Sequence, residues 1–259
     1  FNLTAGQPMS DIATEVASAL AAASLVFMAQ PFDATQPPFN ASQLLASARS
    51  LFALAHDHGP GPSNANNPTQ RTDVFPQCDA SECFYWTFAS GVEDKLAWAA
   101  TWMAAAELGG VDSAAGSVPS RYASLAAELI DTHLARRSES ERASQSFSWD
   151  SKWPAVYVLA SSRLPSAVAS VSVAAAAYLN HWSSPDCSQP PCQRFTPGGL
   201  VMYQPWGALR YSTHVAWLAL LHSKRQPVAS AQPLLIFGRS QINYVLGANP
   251  SNRSFLTSF

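Results

Sequence analysis

The chain is 259 residues long with 47% hydrophobic content, enough to bury a real core as one large domain or two small ones. Charged residues make up only 12% of it, against about a quarter in an ordinary soluble domain, and the formal net charge is -2. That balance excludes a surface built to hold a phosphate backbone and leaves an uncharged partner easiest to reconcile, although alanine-rich composition accounts for the larger share of the low charge.

In chain order, apolar residues recur at helical spacing in segment after segment, and convincing period-2 strands are absent, so the pattern predicts an all-α fold. A first helix begins at Ser10 or Asp11, both good N-caps, and runs through Ile12, Val16, Leu20 and Phe27 to stop before Pro31. The run from Ile12 to Ala29 is interrupted by Glu15 and is mostly alanine, which reads as too weak for a membrane span. A second helix carries Leu44, Leu45, Ala48, Leu51, Phe52 and Ala55 on one face. A long loop from about His58 to Cys83, rich in Pro, Asn and Gly, leads to a helix from about Val92 to Gly109-Gly110.

After Pro119 a helix with the stripe Tyr122, Leu125, Leu129 and Leu134 is expected, then a charged, serine-rich stretch into Phe147-Ser148-Trp149-Asp150-Ser151-Lys152. Shorter helices follow near Val156 and Val168, then a second long loop from Ser183 to Pro205. A helix from Trp206 to His222 and another from Gln232 to Leu246 close the series, giving about eight helices in all. Helical hairpins joined by alternating short turns and long loops suit a bundle, a solenoid or an α/α toroid, and the lack of a fixed-period repeat counts against the solenoid.

Four cysteines form two pairs of equal spacing, Cys78-x4-Cys83 and Cys187-x4-Cys192, in loop-like surroundings. Local disulfides and an oxidising compartment fit them better than zinc, because neither pair has a second ligand set at suitable spacing. Sequons at Asn2, Asn40 and Asn252 are compatible with secretion, and with chance. The six histidines show no metal spacing beyond His56-x-His58 and are assigned no chemistry. No secretory leader is recognisable, and the chain, opening on Phe1, reads as a fragment.

The segment Thr196-Pro197-Gly198-Gly199-Leu200, followed by Trp206-Gly207-Ala208-Leu209-Arg210-Tyr211, resembles a signature of glycoside hydrolase family 9, the inverting endoglucanases of β-1,4-glucans. Four more matches occur in the right order: Ser10-Asp11-x-Ala13-x-Glu15, Ser90-Gly91 with Asp94, Trp149-Asp150-x-Lys152, and Leu246-Gly247-x-Asn249-Pro250. The resemblance implies a six-hairpin α/α barrel, incomplete here, with residues 1–259 as one partial catalytic domain cut at both ends. It implies a secreted protein acting on β-1,4-glucan chains, with no nucleic acid or membrane partner. The family's Asp-Ala-Gly-Asp and Asn-Glu motifs, which carry the catalytic carboxylates, do not occur, so no catalytic residue is assigned and the chain alone is expected to be inactive. Two other readings stand beside the enzyme, a non-catalytic glucan binder and an α-helical scaffold unrelated to sugars.

By the same resemblance Tyr85 lines the sugar cleft with Trp86 or Phe88 as a second platform, although aromatics just before a helix also staple it to the core. Pro205 in the first turn of its helix would set Trp206 and Arg210 one turn apart, the indole packing on a pyranose face and the guanidinium reaching ring hydroxyls, with Tyr211 beside them. The bland alternative is a core Trp beside an Arg that pairs with a carboxylate. Some family members hold calcium at positions matching Ser90, Gly91, Asp94 and Asp150. Here Lys95 stands where the glutamate ligand is expected and Ser151 where the later motif has its second Asp, which argues for a salt bridge of Lys95 with Asp94 or Asp150 and for no cofactor. Asp11 and Glu15 are explained by their place at a helix N-terminus.

Overall fold

The computed structural model describes residue 4 and residues 9–29, 40–58, 92–109, 120–164, 169–184 and 194–256. Cys78, Cys83, Tyr85, Trp86, Phe88, Ser90, Gly91, Cys187 and Cys192 lie outside them. Among the described residues there are nine helices: α1 (Ser10–Ala29), α2 (Ala41–His58), α3 (Glu93–Gly109), α4 (Arg121–Arg136), α5 (Glu139–Ser144), α6 (Trp153–Arg163), α7 (Ala169–Ser183), α8 (Ala208–Ser223) and α9 (Val228–Leu246). One pair of two-residue strands, β1 (Arg194–Phe195) and β2 (Val201–Met202), runs antiparallel with Phe195 opposite Val201. The all-α expectation holds.

The described residues fall into two compact units, one drawn from 1–132, 150–152 and 163–166, the other from 133–149, 153–162 and 167–259. In the first, α1 packs on α2 and α3. Its buried face is the stripe Ala13, Ala17 and Ala21, joined by Thr14, Ser18 and Ser24. The Thr14 and Ser18 hydroxyls donate to carbonyls one turn back, at 2.7 Å each, so the polar atoms are satisfied inside the helix and the face stays small. The facing α3 is of the same kind, with Ala97, Ala100 and Ala104 fully buried. Such faces bring backbones close, and many weak dispersion contacts replace a few large side chains. Against expectation, α1 is long and apolar enough to cross a membrane by length and composition, with a mean hydropathy of 1.8.

Local signals explain the helix starts. Asn40 Oδ1 accepts the Ser42 N–H at 2.8 Å and begins α2, so this sequon asparagine serves as a cap. Ser120 receives the Tyr122 N–H at 3.2 Å at the head of α4 and donates to Glu107, which Arg49 also holds at 2.8 Å. The buried stripe of α4 is Tyr122, Ala126, Leu129, Ile130 and His133, rotated from the expected one so that Leu125 and Leu134 are only half-buried.

The observed elements depart from the expected order in three places. The serine-rich stretch after α4 contains α5, begun by a capping box in which Ser138 and Glu141 satisfy each other's backbone N–H. The second long loop contains the β1–β2 hairpin, and α9 starts at Val228, four residues before Gln232, with Pro233 accommodated inside it. In the second unit the core is formed by Trp153, Tyr157, Tyr178, Leu179, Trp182 and Leu218, all nearly inaccessible. Trp182 Nε1 donates to the Ala143 carbonyl at 3.1 Å, tying α7 to α5.

Candidate functional site

The Thr196–Leu200 turn joins β1 to β2. Its geometry follows from its residues: Gly199 sits at φ +88°, its N–H donates to the Thr196 carbonyl at 2.8 Å, and Thr196 Oγ1 accepts the Leu200 N–H at 3.0 Å. Gly198 is required for space. A Cβ there would lie 2.7 Å from Pro250 Cδ and 2.9 Å from Tyr244 Cε2. Pro250 belongs to the Leu246-Gly247-x-Asn249-Pro250 segment, where Gly247 at φ 121° ends α9 and the Asn249 amide donates to the Tyr244 and Arg253 carbonyls at 2.8 and 2.7 Å. Two of the matched motifs are therefore scaffold to each other.

Buried Gln241 on α9 completes the support, accepting the Val201 N–H at 2.8 Å and donating to the Gly199 carbonyl at 3.0 Å. Ser212 on α8 donates to the Val201 carbonyl at 2.6 Å. The hairpin is thus held from both helices, and the chain leaving it carries Tyr203, Gln204, Pro205 and Trp206 toward α8.

Helix α8 starts at Ala208, not at Pro205, because Gly207 adopts a left-handed conformation at φ 63° and ψ 30°. Trp206 consequently lies outside the helix and is 71% exposed. The expected one-turn spacing is wrong, yet the pair still meets: the Arg210 guanidinium carbon stands 5.0 Å from the Trp206 ring centroid and 4.5 Å from that of Tyr211. Arg210 Nη2 donates to the buried Tyr211 hydroxyl, which also accepts from Gln204 Nε2 at 2.8 Å. Arg210 Nε is buried without a partner among the described residues. No carboxylate accounts for the position of this arginine among the contacts observed, and the indole is far from a core residue.

Sequence reasoning missed Tyr203 and Gln204, which lie between the two halves of the signature. Tyr203 is half-exposed and stacks on Trp182 at 5.7 Å, its ring 4.9 Å from Tyr211. The tandem of an aromatic and a hydrogen-bonding residue just after a turn was the available signal. The result is a rank of rings, Trp182, Tyr203 and Tyr211, with the Arg210 guanidinium in contact with both Tyr211 and an exposed indole. Such a surface can pack on an apolar face of a neutral ligand and offer donors at its edge.

The second cluster lies in the first unit at the head of α3. Lys95 Nζ donates to both Asp94 carboxylate oxygens, at 3.1 and 3.0 Å, and to the Asp150 backbone carbonyl at 3.2 Å. The Asp94 carboxylate also accepts the Lys152 N–H at 2.7 Å. These are hydrogen-bond distances to an ammonium, and a lysine amine at the centre of the oxygens does not fit a calcium ion, which needs six to eight hard ligands. Glu15 has a partner that sequence reasoning did not find: its carboxylate pairs with Lys152 Nζ at 2.8 Å.

Comparison with known proteins places this geometry. The model of the family described as Glycosyl hydrolase family 9 matches residues 1–259. Endoglucanase 23 of Oryza sativa subsp. japonica is 27% identical over 100% of this chain, which spans 47% of that protein. Endoglucanase B of Cellulomonas fimi is 26% identical over 99% of this chain and 22% of its own length. Among solved structures, endoglucanase CelQ from Clostridium thermocellum complexed with cellotetraose is similar with a TM-score of 0.68 and 25% identity, over 96% of this chain and 35% of that one. The endoglucanase of the termite Nasutitermes takasagoensis is similar at 0.64 and 27%, over 96% and 47%. The chain thus spans less than half the length of these relatives, while its helical order follows the α/α-barrel class to which they belong. On the match over its whole length and the motifs that build the hairpin, this chain belongs to glycosyl hydrolase family 9.

Proposed function

We propose that the chain is the glucan-binding part of an endo-β-1,4-glucanase, a secreted enzyme that hydrolyses internal bonds of cellulose or a related glucan with inversion. The observation that carries this reading is the Trp206–Arg210 pair, an exposed indole backed by a guanidinium just past a hairpin braced from two helices. Similarity to an endoglucanase complexed with cellotetraose supports the substrate class. The sequons and the two Cys-x4-Cys pairs support secretion.

Inverting hydrolysis needs a carboxylic acid to protonate the leaving oxygen and an opposed carboxylate, roughly 6.5 to 9.5 Å away, to activate water. The motifs that supply them in the family do not occur in this sequence, so in this reading the chain holds and orients the glucan and the proton transfers are made elsewhere in the enzyme. Tyr85, Trp86 and Phe88 are proposed as a further part of the same binding surface.

The test is titration of the chain with cellotetraose, alongside Trp206→Ala and Arg210→Ala. Removing the stacking face should weaken binding about tenfold, and removing the charged donor by a similar factor or more. Because Trp206 is largely exposed, its loss should leave the melting temperature unchanged. Equal affinity in the parent and Trp206→Ala, or no binding in any of them, would reject the site.

A further inference from the structure

Three consecutive charged residues, Glu93, Asp94 and Lys95, are buried at the head of α3, and Lys95 is 1% exposed. Charges buried in this way persist only when paired. Here one ammonium meets two carboxylate oxygens and one backbone carbonyl within 3.0–3.2 Å, and the same carboxylate receives the Lys152 N–H. Carboxylate and carbonyl oxygens converging on one point are donors for a hard cation. The Lys152 side chain does not compete for that point, since it turns to Glu15 at 2.8 Å.

We infer that the Lys95 ammonium is the built-in cation of an oxygen cage tying the head of α3 to residues 150–152, that it makes the protein indifferent to calcium, and that Lys95→Glu converts the cage into a calcium site. The charge balance supports this. The ammonium stands where these oxygens converge, so a divalent ion entering beside it would meet its repulsion. With glutamate at 95 the same two positions carry two negative charges and two further oxygens, which match a divalent ion. The inference is independent of the proposed glucan site and concerns stability alone.

The experiment is thermal unfolding of the 259-residue chain in excess EDTA and in millimolar calcium, for the parent, Lys95→Glu, and Lys95→Glu combined with Asp94→Asn. The parent should melt at the same temperature in both. Lys95→Glu should melt on the order of 10 °C lower in EDTA and recover most of that in calcium. The double variant should not recover. Should Lys95→Glu fail to fold without metal, equilibrium dialysis of calcium against Lys95→Gln decides, because loss of the ammonium should create binding that the parent lacks. A calcium-dependent rise in the parent, abolished by Asp94→Asn, overturns the inference. So does the absence of any calcium response in both Lys95→Glu and Lys95→Gln.

Discussion

His133 on α4 provides a direct test of how the second unit is packed. Its ring stacks on Trp153 with centroids 3.9 Å apart and planes at 15°, and Nε2 has no hydrogen-bond partner among the described residues. Burial first, and then the charges of Arg137, Arg142 and Arg136, lower its pKa from 6.5 to about 3. The folded ring is therefore neutral where the unfolded one is already protonated. Since the folded value lies below the unfolded one, the stability it contributes is present above about pH 6.5 and is lost progressively as pH falls toward about 3. At about pH 4.5 this one ring costs on the order of 2 to 3 kcal/mol, which corresponds to a fall in melting temperature of roughly 5 to 10 °C. His133→Phe keeps an aromatic face on Trp153 and removes the titration. Melting temperatures should be measured from neutral pH down to about 4.5 for both proteins. Burial also lowers His181 and His222, which add acid sensitivity of the same sign and remain in the variant. The variant curve should nonetheless be flatter by the amount stated. Parallel curves would refute the reasoning and place a hydrated, titratable histidine at this position.

The hairpin gives two further tests, both read by melting temperature. Gln241→Leu removes an acceptor from Val201 and a donor from Gly199, leaving buried backbone groups unpaired, and should cost about 2 to 4 kcal/mol; a loss below about 0.5 kcal/mol would mean that water replaces the amide. Gly198→Ala drives a methyl into Pro250 and Tyr244 and should cost about 1 to 3 kcal/mol; an unchanged melting temperature would show that the α9 terminus yields.

Helices α1 to α4 were legible because each has apolar spacing bounded by a cap or a breaker. The buried stripe of α4 differs from the expected one because Ala126 and Ile130 are buried where Leu125 and Leu134 are only half-buried. Helix α5 has a single buried residue, Ala143, so periodicity could not find it, although its Ser138–Glu141 box was in plain view. Strands of two residues have no period to detect. At the site, Trp206 and Arg210 meet by a geometry other than the expected helical spacing, since Gly207 leaves the helix start open to more than one register. The Glu15–Lys152 pair spans most of the first unit's sequence and leaves no local trace. Lys95 was readable because an unexpected charge stood inside a recognisable pattern.

The face between α1 and α3 has one more consequence, for how the protein can change. Where these helices bury alanine, at Ala13, Ala17 and Ala21 and at Ala97, Ala100 and Ala104, each position already holds the smallest side chain that still favours a helix. Glycine at Ala17 or Ala100 loosens the helix, and a larger side chain must find room at a position with no exposed surface, so both directions of substitution cost stability. Large residues elsewhere in a core can be traded against one another at constant volume, but here there is nothing to trade. The alanine richness of these two helices is thus a steric ceiling, and sequence drift in this chain should be quietest where its residues look least informative.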